Sequence, residues 1–539
     1  MKTRAPKPQP LLLEREHFER ELTEAKAIYQ RLFDDRKLSL FLNEGRDPRY
    51  AHPHVHEGEQ TIQPEVFRAA FLGKMSFPEP YEHAPKASVS LDIPPPPTKG
   101  ELAFDGDNWA PAGRIKWIYR ASPLLYEKIR YAVEMRRWNK SSERHSWRSL
   151  AYCPGLLPVE ERPASDQRPA VLVGFHWLEV GGAEKLAFDT VNWALEAGLR
   201  VIVVASVPAL QRLADRLPNH PDVQFIRVDR FLPHHLWPRF LVKLIEQENI
   251  RLIHIHHCTP IYAALAHIRA TIPQITVIDS THIVEYNDGG YPRISGVWTN
   301  YIDFQHVISN QLKTFFDTRF HHRDKVLLGR MLTRSEEEIT LPPVTMEAGK
   351  KVLNIAYIGR YQYQKRPLVV VYTVKTLVKW ARKNGVDLRV KMVGEGVMRP
   401  ATEALVRRLG LQGVIEFLPA NVDVPALMDA SDILLLPSNN EGLALVCYEA
   451  IQHGCIPVST DVGGQAEIIP PELMVGLEPT ASIRDSAAAV ERLWRDGNFI
   501  MKMQEALHRR YRQLAADPTA KEVLMPIYQA VAEGMEPSL

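Results

Sequence analysis

The chain has 539 residues, 45% hydrophobic and 24% charged, with a formal net charge of +2. This length exceeds what one hydrophobic core serves, so two or three domains of ordinary soluble composition are expected. The near-neutral balance argues against a whole-molecule electrostatic grip on nucleic acid. No window approaches 18 uninterrupted apolar residues, and the N-terminal stretch has no apolar core fit for a signal peptide. Cys153, Cys258, Cys447 and Cys455 have no metal-type spacing, and the last three fall in or beside expected core elements. They read as reduced thiols, and the chain as cytoplasmic.

In chain order, residues 1–165 are the least patterned. Leu11 to about Leu38 has the spacing of a charged amphipathic helix. His52, His54 and His56 alternate as metal ligands on an extended segment would, but with no distant further ligand a solvated loop is expected. Pro94 to Pro97 form a stiff polyproline spacer. Asp105 and Asp107 flank a glycine in a turn-like context and read as a turn, not as a metal-binding pair. Arg114 to Tyr152 carries ten Lys or Arg against three Glu, interleaved with Trp117, Tyr119, Tyr126, Tyr131, Trp138 and Trp147. Such a segment suits an anionic membrane or acceptor surface, while a solvated helical face remains the plain alternative and nucleic acid a remote one.

From about Arg168 the pattern becomes regular. Short apolar runs at 170–175, 201–204, 223–228, 252–256 and 275–278 alternate with helical stretches. A linker follows at Leu341-Pro342-Pro343, and a second series begins at Val352. Repeated βα alternation means a mostly parallel sheet covered on both faces. Gly181 and Gly182 follow the first strand and permit close backbone approach to a phosphate or sugar. His254, His256 and His257 read as packing or cleft residues rather than metal ligands. His282 follows the strand-like 275–278 run, and its surroundings alone leave it equally a loop residue or a site residue. Strand 353–358 ends in Gly359-Arg360, with Lys365 shortly after and Pro367 placed to open a helix. Fixed cations at a strand end stabilise the charge on a departing diphosphate without a metal. Gly394 lies in a Gly-x-Gly turn after the next strand.

The most informative stretch is 431–459. An apolar run at 433–436 precedes a polar turn with Glu441, a helix with Glu449 that Gly454 stops, and another short run at 456–458. Ligands in such strand–turn–helix units bind at the turn, where the helix N-terminus suits a diphosphate. The Glu-x7-Glu spacing, Gly463-Gly464-x-x-Glu467 and Gly359-Arg360…Lys365 together resemble the retaining glycosyltransferases of family 4. The resemblance covers about residues 168–535. It implies an α/β chain of GT-B architecture, two doubly wound Rossmann-like domains facing a cleft, plus a mainly helical or irregular N-terminal extension.

The boundaries it implies are an extension at 1–165, an acceptor domain at 166–342 and a donor domain at 343–514, with a C-terminal helix at 515–539 packing back on the acceptor domain. By resemblance, Arg360 and Lys365 bind the donor diphosphate, Glu441 and His282 lie at the reacting sugar, and Glu449 accepts hydrogen bonds from ribose hydroxyls. Gly181, Gly182, Gly359 and Gly394 approach the donor, and the amides of Gly442, Leu443, Ala444 and Leu445 meet sugar and phosphates. One departure stands out: the family's Lys-Gly is Lys365-Arg366 here. The expected activity is metal-independent, cofactor-free transfer of a sugar from a nucleotide-diphospho-sugar to a glycan or lipid-linked acceptor, in cell-surface polysaccharide synthesis. Peripheral membrane contact through 114–152 and no nucleic-acid partner are expected. A catalytically silent scaffold in a glycan-assembly complex and a GT-B nucleotide-sugar epimerase are the rival readings.

Overall fold

The computed structural model describes residues 14–58, 71–98, 114–153, 155, 167–179, 182–321, 324–331 and 340–537. Asp105, Asp107 and Gly181 lie outside this set. The chain divides into two compact units, one of Met1–Leu102, Tyr152–Ile278 and Ile527–Leu539, the other of Ala103–Ala151 and Asp279–Pro526.

The first unit opens with helix α1 (Arg15–Leu32), which turns Glu21, Ala25, Ile28, Tyr29 and Leu32 inward at helical spacing. The helix stops at Leu32, short of the expected Leu38, because Lys37–Glu44 forms strand β1 with Leu38, Leu40 and Leu42 buried in alternation. Strands β2 (His54–Glu57), β3 (Phe71–Ser76) and β4 (Lys86–Ile93) complete a mixed sheet of order β2-β4-β1-β3, with β1 and β4 parallel at its centre. The extension therefore holds a sheet beside its helices. His54 and His56 are on edge strand β2, paired with Ser90 and Ser88, rather than in a loop. Among the described residues no group of three His, Cys, Asp or Glu could hold a metal ion. Pro94 is buried, and its carbonyl accepts from His17 Nε2 at 2.8 Å.

A parallel sheet follows, in the order β8-β5-β6-β7, from β5 (Ala170–Phe175), β6 (Arg200–Ala205), β7 (Val223–Ile226) and β8 (Ile250–His256). Every residue of β5 is buried, as a strand covered on both faces requires. Gly182 opens α2 (Gly182–Glu196); α3 (Trp237–Gln247) and α4 (Thr259–Thr271) follow. The Tyr29 hydroxyl donates to Phe231 O at 2.5 Å, and buried Arg230 pairs with buried Glu21 at 2.6 Å, fastening α1 to this sheet's helices. His254 and His256 are core residues: their rings stack at 4.3 Å, and His254 Nδ1 meets the Tyr528 hydroxyl at 2.6 Å. Cys258, Cys447 and Cys455 are buried and Cys153 is exposed; all four are free thiols.

The second unit contains two helices from the extension, αA (Arg114–Ala121) and αB (Pro123–Asn139). Strand β9 (Thr276–Thr281) carries the chain into it, followed by α5 (Gly290–Val297), β10 (Phe304–Val307), α6 (Asn310–Phe320) and β11 (Val326–Leu328). Its main sheet is wholly parallel, of order β14-β13-β12-β15-β16-β17. These strands are β12 (Val352–Ile358), β13 (Asp387–Val393), β14 (Ile415–Leu418), β15 (Ile433–Leu436), β16 (Ile456–Thr460) and β17 (Met474–Val475). Helices α7 (Pro367–Asn384), α8 (Leu445–Gln452), α9 (Pro479–Arg495) and α10 (Gly497–Ala515) complete it. The most C-terminal helix, α11 (Ala520–Ala532), carries the chain back into the first unit.

Candidate functional site

The second sheet dictates where a site can form. Its first strand, β12, has β13 on one side and β15 on the other, with Ile355 opposite Ile433. Strand order therefore reverses between β12 and β15, and the loops leaving their carboxyl ends diverge around a crevice. Those loops carry Gly359, Arg360 and Lys365 on one side and Glu441 to Leu445 on the other. They are laced together. Asn439 N donates to Gln364 O at 2.6 Å, Gln364 Nε2 to Asn440 O at 2.8 Å, and Lys365 Nζ to Glu441 Oε1 at 2.6 Å. Lys365 and Glu441, read from motifs 76 residues apart, thus form one ion pair, its carboxylate buried and its ammonium half-buried. Arg360 is half-buried at the same strand end.

Glycines set the approach distances. A Cβ on Gly442 would lie 1.8 Å from His282 O, so only glycine lets the two backbones meet there. Gly394, at φ +131°, would place a Cβ 2.2 Å from Gly359 O, which brings the β13 turn onto the β12 loop. At Gly359 an added Cβ would only reach ordinary contact with the stem of Lys365, at 3.5 Å. Asn440 Nδ2 donates to Val284 O at 2.8 Å and the Tyr286 hydroxyl to Asn439 O at 3.0 Å, so residues 282–286 line the same loop.

His282 is buried, and burial first, then neighbouring His306, push its imidazole down to about 3. It is therefore neutral at physiological pH and offers a hydrogen bond without a charge. His306 Nδ1 meets the Ser280 hydroxyl at 3.0 Å, while Nε2 donates to Gly329 O at 3.0 Å.

Of the four amides expected to face a donor, that of Ala444 is engaged by Gln465 Oε1 at 3.1 Å. Gln465 also donates to Ser459 Oγ at 3.1 Å, fixing the start of α8 against β16. Leu445 begins α8, and Glu449 is exposed one turn on. Gly182 lies in the first unit, at the start of α2.

Glu467 and Arg366, named above for the motif and the departure, take structural roles that the sequence did not indicate, and Arg330 and Asp517 were not singled out from sequence. Glu467 accepts from Gln311 N at 3.2 Å, near the start of α6, and from fully buried Arg330 at 2.6 Å; Arg330 also holds Asp517 at 2.7 Å. The second half of the Gly-Gly-x-x-Glu motif is thus a structural tie. Arg366 adopts φ +47°, ψ 53°, the left-handed conformation that glycine takes readily and other residues take at a cost of about 1–2 kcal/mol. Its buried guanidinium donates to Leu477 O at 2.5 Å and Asn439 Oδ1 at 2.9 Å, bonds that offset the strain.

A parallel doubly wound sheet with a basic and acidic crevice at its switch point defines a Rossmann-like class of ligand-binding fold. Residues 346–513 match the family described as Glycosyl transferases group 1, and residues 180–326 match Glycosyltransferase Family 4. Together they take in more than half of the chain, which belongs to the family-4 type of GT-B glycosyltransferases. It is 30% identical over 190 residues to the D-inositol 3-phosphate glycosyltransferase of Salinispora tropica, covering 33% of this chain and 39% of that one. It is 23% identical over 245 residues to the N-acetyl-alpha-D-glucosaminyl L-malate synthase of Bacillus anthracis, covering 42% and 61%. The chain thus spans less than two thirds of these relatives' length. Sucrose-phosphate synthase from Thermosynechococcus elongatus shares the fold at 18% identity and TM-score 0.51, over 68% of this chain and 100% of that one.

Proposed function

We propose that this chain is a retaining glycosyltransferase that moves a sugar from a nucleotide-diphospho-sugar to a glycan or lipid-linked acceptor. The observation that carries the reading is the Lys365–Glu441 pair at the switch point, beside the close backbone approach of Gly442 to His282 O, which leaves no room for a Cβ. Arg360 and Lys365 supply fixed positive charge for a leaving diphosphate, so the chemical step needs no metal. Neutral His282 serves a sugar hydroxyl, and exposed Glu449 the ribose. Glu441 is held by Lys365, and by resemblance to the family the proposed course is front-face attack rather than a covalent glycosyl-enzyme. Residues 166–342 would serve the acceptor and 343–514 the donor.

The acceptor side of the proposal is cell-surface polysaccharide synthesis at the inner face of a membrane. It is supported by the outer face of αB. Leu125, Ile129 and Val133 are 48%, 44% and 44% exposed at spacings of four. Exposed Lys128, Arg136, Arg137 and Lys140 flank them, and the helix's two acids, Glu127 and Glu134, are buried or half-buried on the other side. An apolar stripe edged only by cations suits an anionic bilayer.

The test is a thermal-shift and hydrolysis screen of UDP-, GDP-, ADP- and dTDP-sugars, with Arg360→Ala and Glu449→Ala beside wild type. One donor should stabilise wild type and be slowly hydrolysed, and both variants should lose the shift. Binding of no donor, with anionic vesicles present, would overturn the reading in favour of a silent scaffold.

A further inference from the structure

The inner face of αB touches the loops that carry Lys365 and Glu441. Glu134 Oε2 accepts from Asn439 Nδ2 at 2.6 Å, and Asn439 is two residues before Glu441. The Arg130 guanidinium lies 3.5 Å from the centre of the Tyr363 ring, two residues before Lys365. Arg366, next to Lys365, has its guanidinium 5.6 Å from the centre of the Tyr131 ring, and its Nε is 3.9 Å from the carboxylate of fully buried Glu127. Asn439 joins the two sides, accepting from Arg366 through Oδ1 and donating to Glu134 through Nδ2.

We infer that αB, a helix from ahead of the first βα series, is a positioning element for the candidate donor loops. Glu134 and Arg366 clamp Asn439 from two directions and so fix the separation of Lys365 and Glu441. None of these side chains is a catalytic residue; they act through the loops. The inference rests on the donor reading only where it predicts an effect on binding. It also accounts for the Lys365-Arg366 departure. Glycine would fit the backbone at 366 better, but it could reach neither Asn439 nor Leu477 O. Here the tie outweighs the strain.

The experiment compares full-length wild type with Glu134→Ala, Glu134→Gln and Arg366→Gly by amide hydrogen exchange. Peptides covering 359–366 and 437–443 report the loops, and a peptide within 352–358 reports the sheet. Glu134→Ala should raise loop exchange at least tenfold and leave the sheet unchanged, and Glu134→Gln, which keeps an acceptor oxygen for Asn439, should restore protection. Arg366→Gly discriminates most sharply: relief of backbone strain alone would slow exchange, whereas loss of the clamp speeds it. Binding of UDP, GDP and ADP is measured on the same samples, and Glu134→Ala should weaken any that binds wild type by tenfold or more. Loop exchange equal to wild type in Glu134→Ala and Arg366→Gly overturns the inference. Should either variant fail to fold, Tyr131→Leu replaces it under the same criteria. If no nucleotide binds wild type, the donor reading fails while the exchange data still decide the positioning role.

Discussion

Glu127 provides a quantitative check on αB packing. Its carboxyl is fully buried, and burial raises it from an ordinary 4.5 to about 7, with Arg366 and Arg130 opposing the rise and Glu134 adding to it. The other titratable groups around it are the hydroxyls of Tyr119, Tyr126 and Tyr363, all pushed upward by burial and so neutral below pH 9. A carboxyl raised in the folded state binds its proton more tightly there than in the unfolded chain. Its environment costs nothing below about pH 4.5, and stability falls as pH rises from 4.5 through 7. A rise of about 2.5 pH units, at about 1.4 kcal/mol each, amounts to roughly 3 kcal/mol at pH 8 and above. Glu127→Gln keeps the shape and cannot ionise. The variant should match wild type near pH 4.5 and become more stable by up to roughly 3 kcal/mol at pH 8, several degrees in Tm for a unit of this size. Calorimetric scans at half-unit pH steps would show the two Tm curves diverging between pH 5 and 8. Parallel curves would refute the reasoning, because Glu127 would then carry no raised carboxyl and αB would not bury it.

Three further outcomes follow from the same geometry. Gly442→Ala forces a Cβ against His282 O, and the resulting displacement of about 1 Å should cut transfer or donor hydrolysis roughly 100-fold, read by steady-state kinetics. Lys365→Met leaves buried Glu441 without its 2.6 Å partner, so the single variant should lose about 3 kcal/mol and the Lys365→Met/Glu441→Gln double variant should recover part of it in urea unfolding. Arg136→Glu with Arg137→Glu removes two cations from the outer face of αB and adds two anions; co-sedimentation with vesicles of 30% phosphatidylglycerol should fall by tenfold or more, at about 1 kcal/mol per cation. Equal co-sedimentation of wild type and variant would count against the bilayer as the partner of that face.

How much of this was legible in the sequence differs by level. The parallel sheets were, because fully buried strands such as 170–175 and 433–436 are unbroken apolar runs that no surface element tolerates. The Lys365 and Glu441 loops were legible as separate motifs. Their pairing was not, because it depends on β12 and β15 being neighbours in space while 75 or more residues apart in the chain. Strands β1 to β4 were missed although Leu38, Leu40 and Leu42 alternate plainly. The pattern lasts only four pairs, abuts a helix, and is completed by β4 across a long connection.

The segment 114–152 shows why composition misleads about direction. Its aromatic and basic residues were read together as one surface, yet helical spacing divides them. Tyr126, Arg130, Glu134 and Trp138 recur every four residues and face the protein, as Leu125, Ile129, Val133 and Arg137 do toward solvent. Trp138 meets Tyr286 edge-on at 6.1 Å, and Trp147 packs on Phe315 at 5.9 Å, over the spot where Gly289 has no side chain. Trp138 and Trp147 are thus half-buried against the protein while Trp117 is 73% exposed, and the aliphatic stripe that reaches solvent drew no notice because it holds no aromatic. Arg366 makes the converse point. As a departure from Lys-Gly it was legible only as a slightly different helix entry; its meaning depends on Asn439 and Glu134, 73 positions later and 232 positions earlier in the chain, which no local pattern joins. A position where a residue accepts backbone strain is one where its side chain contributes more than the strain costs, and at 366 that contribution is the connection between αB and the Lys365 and Glu441 loops.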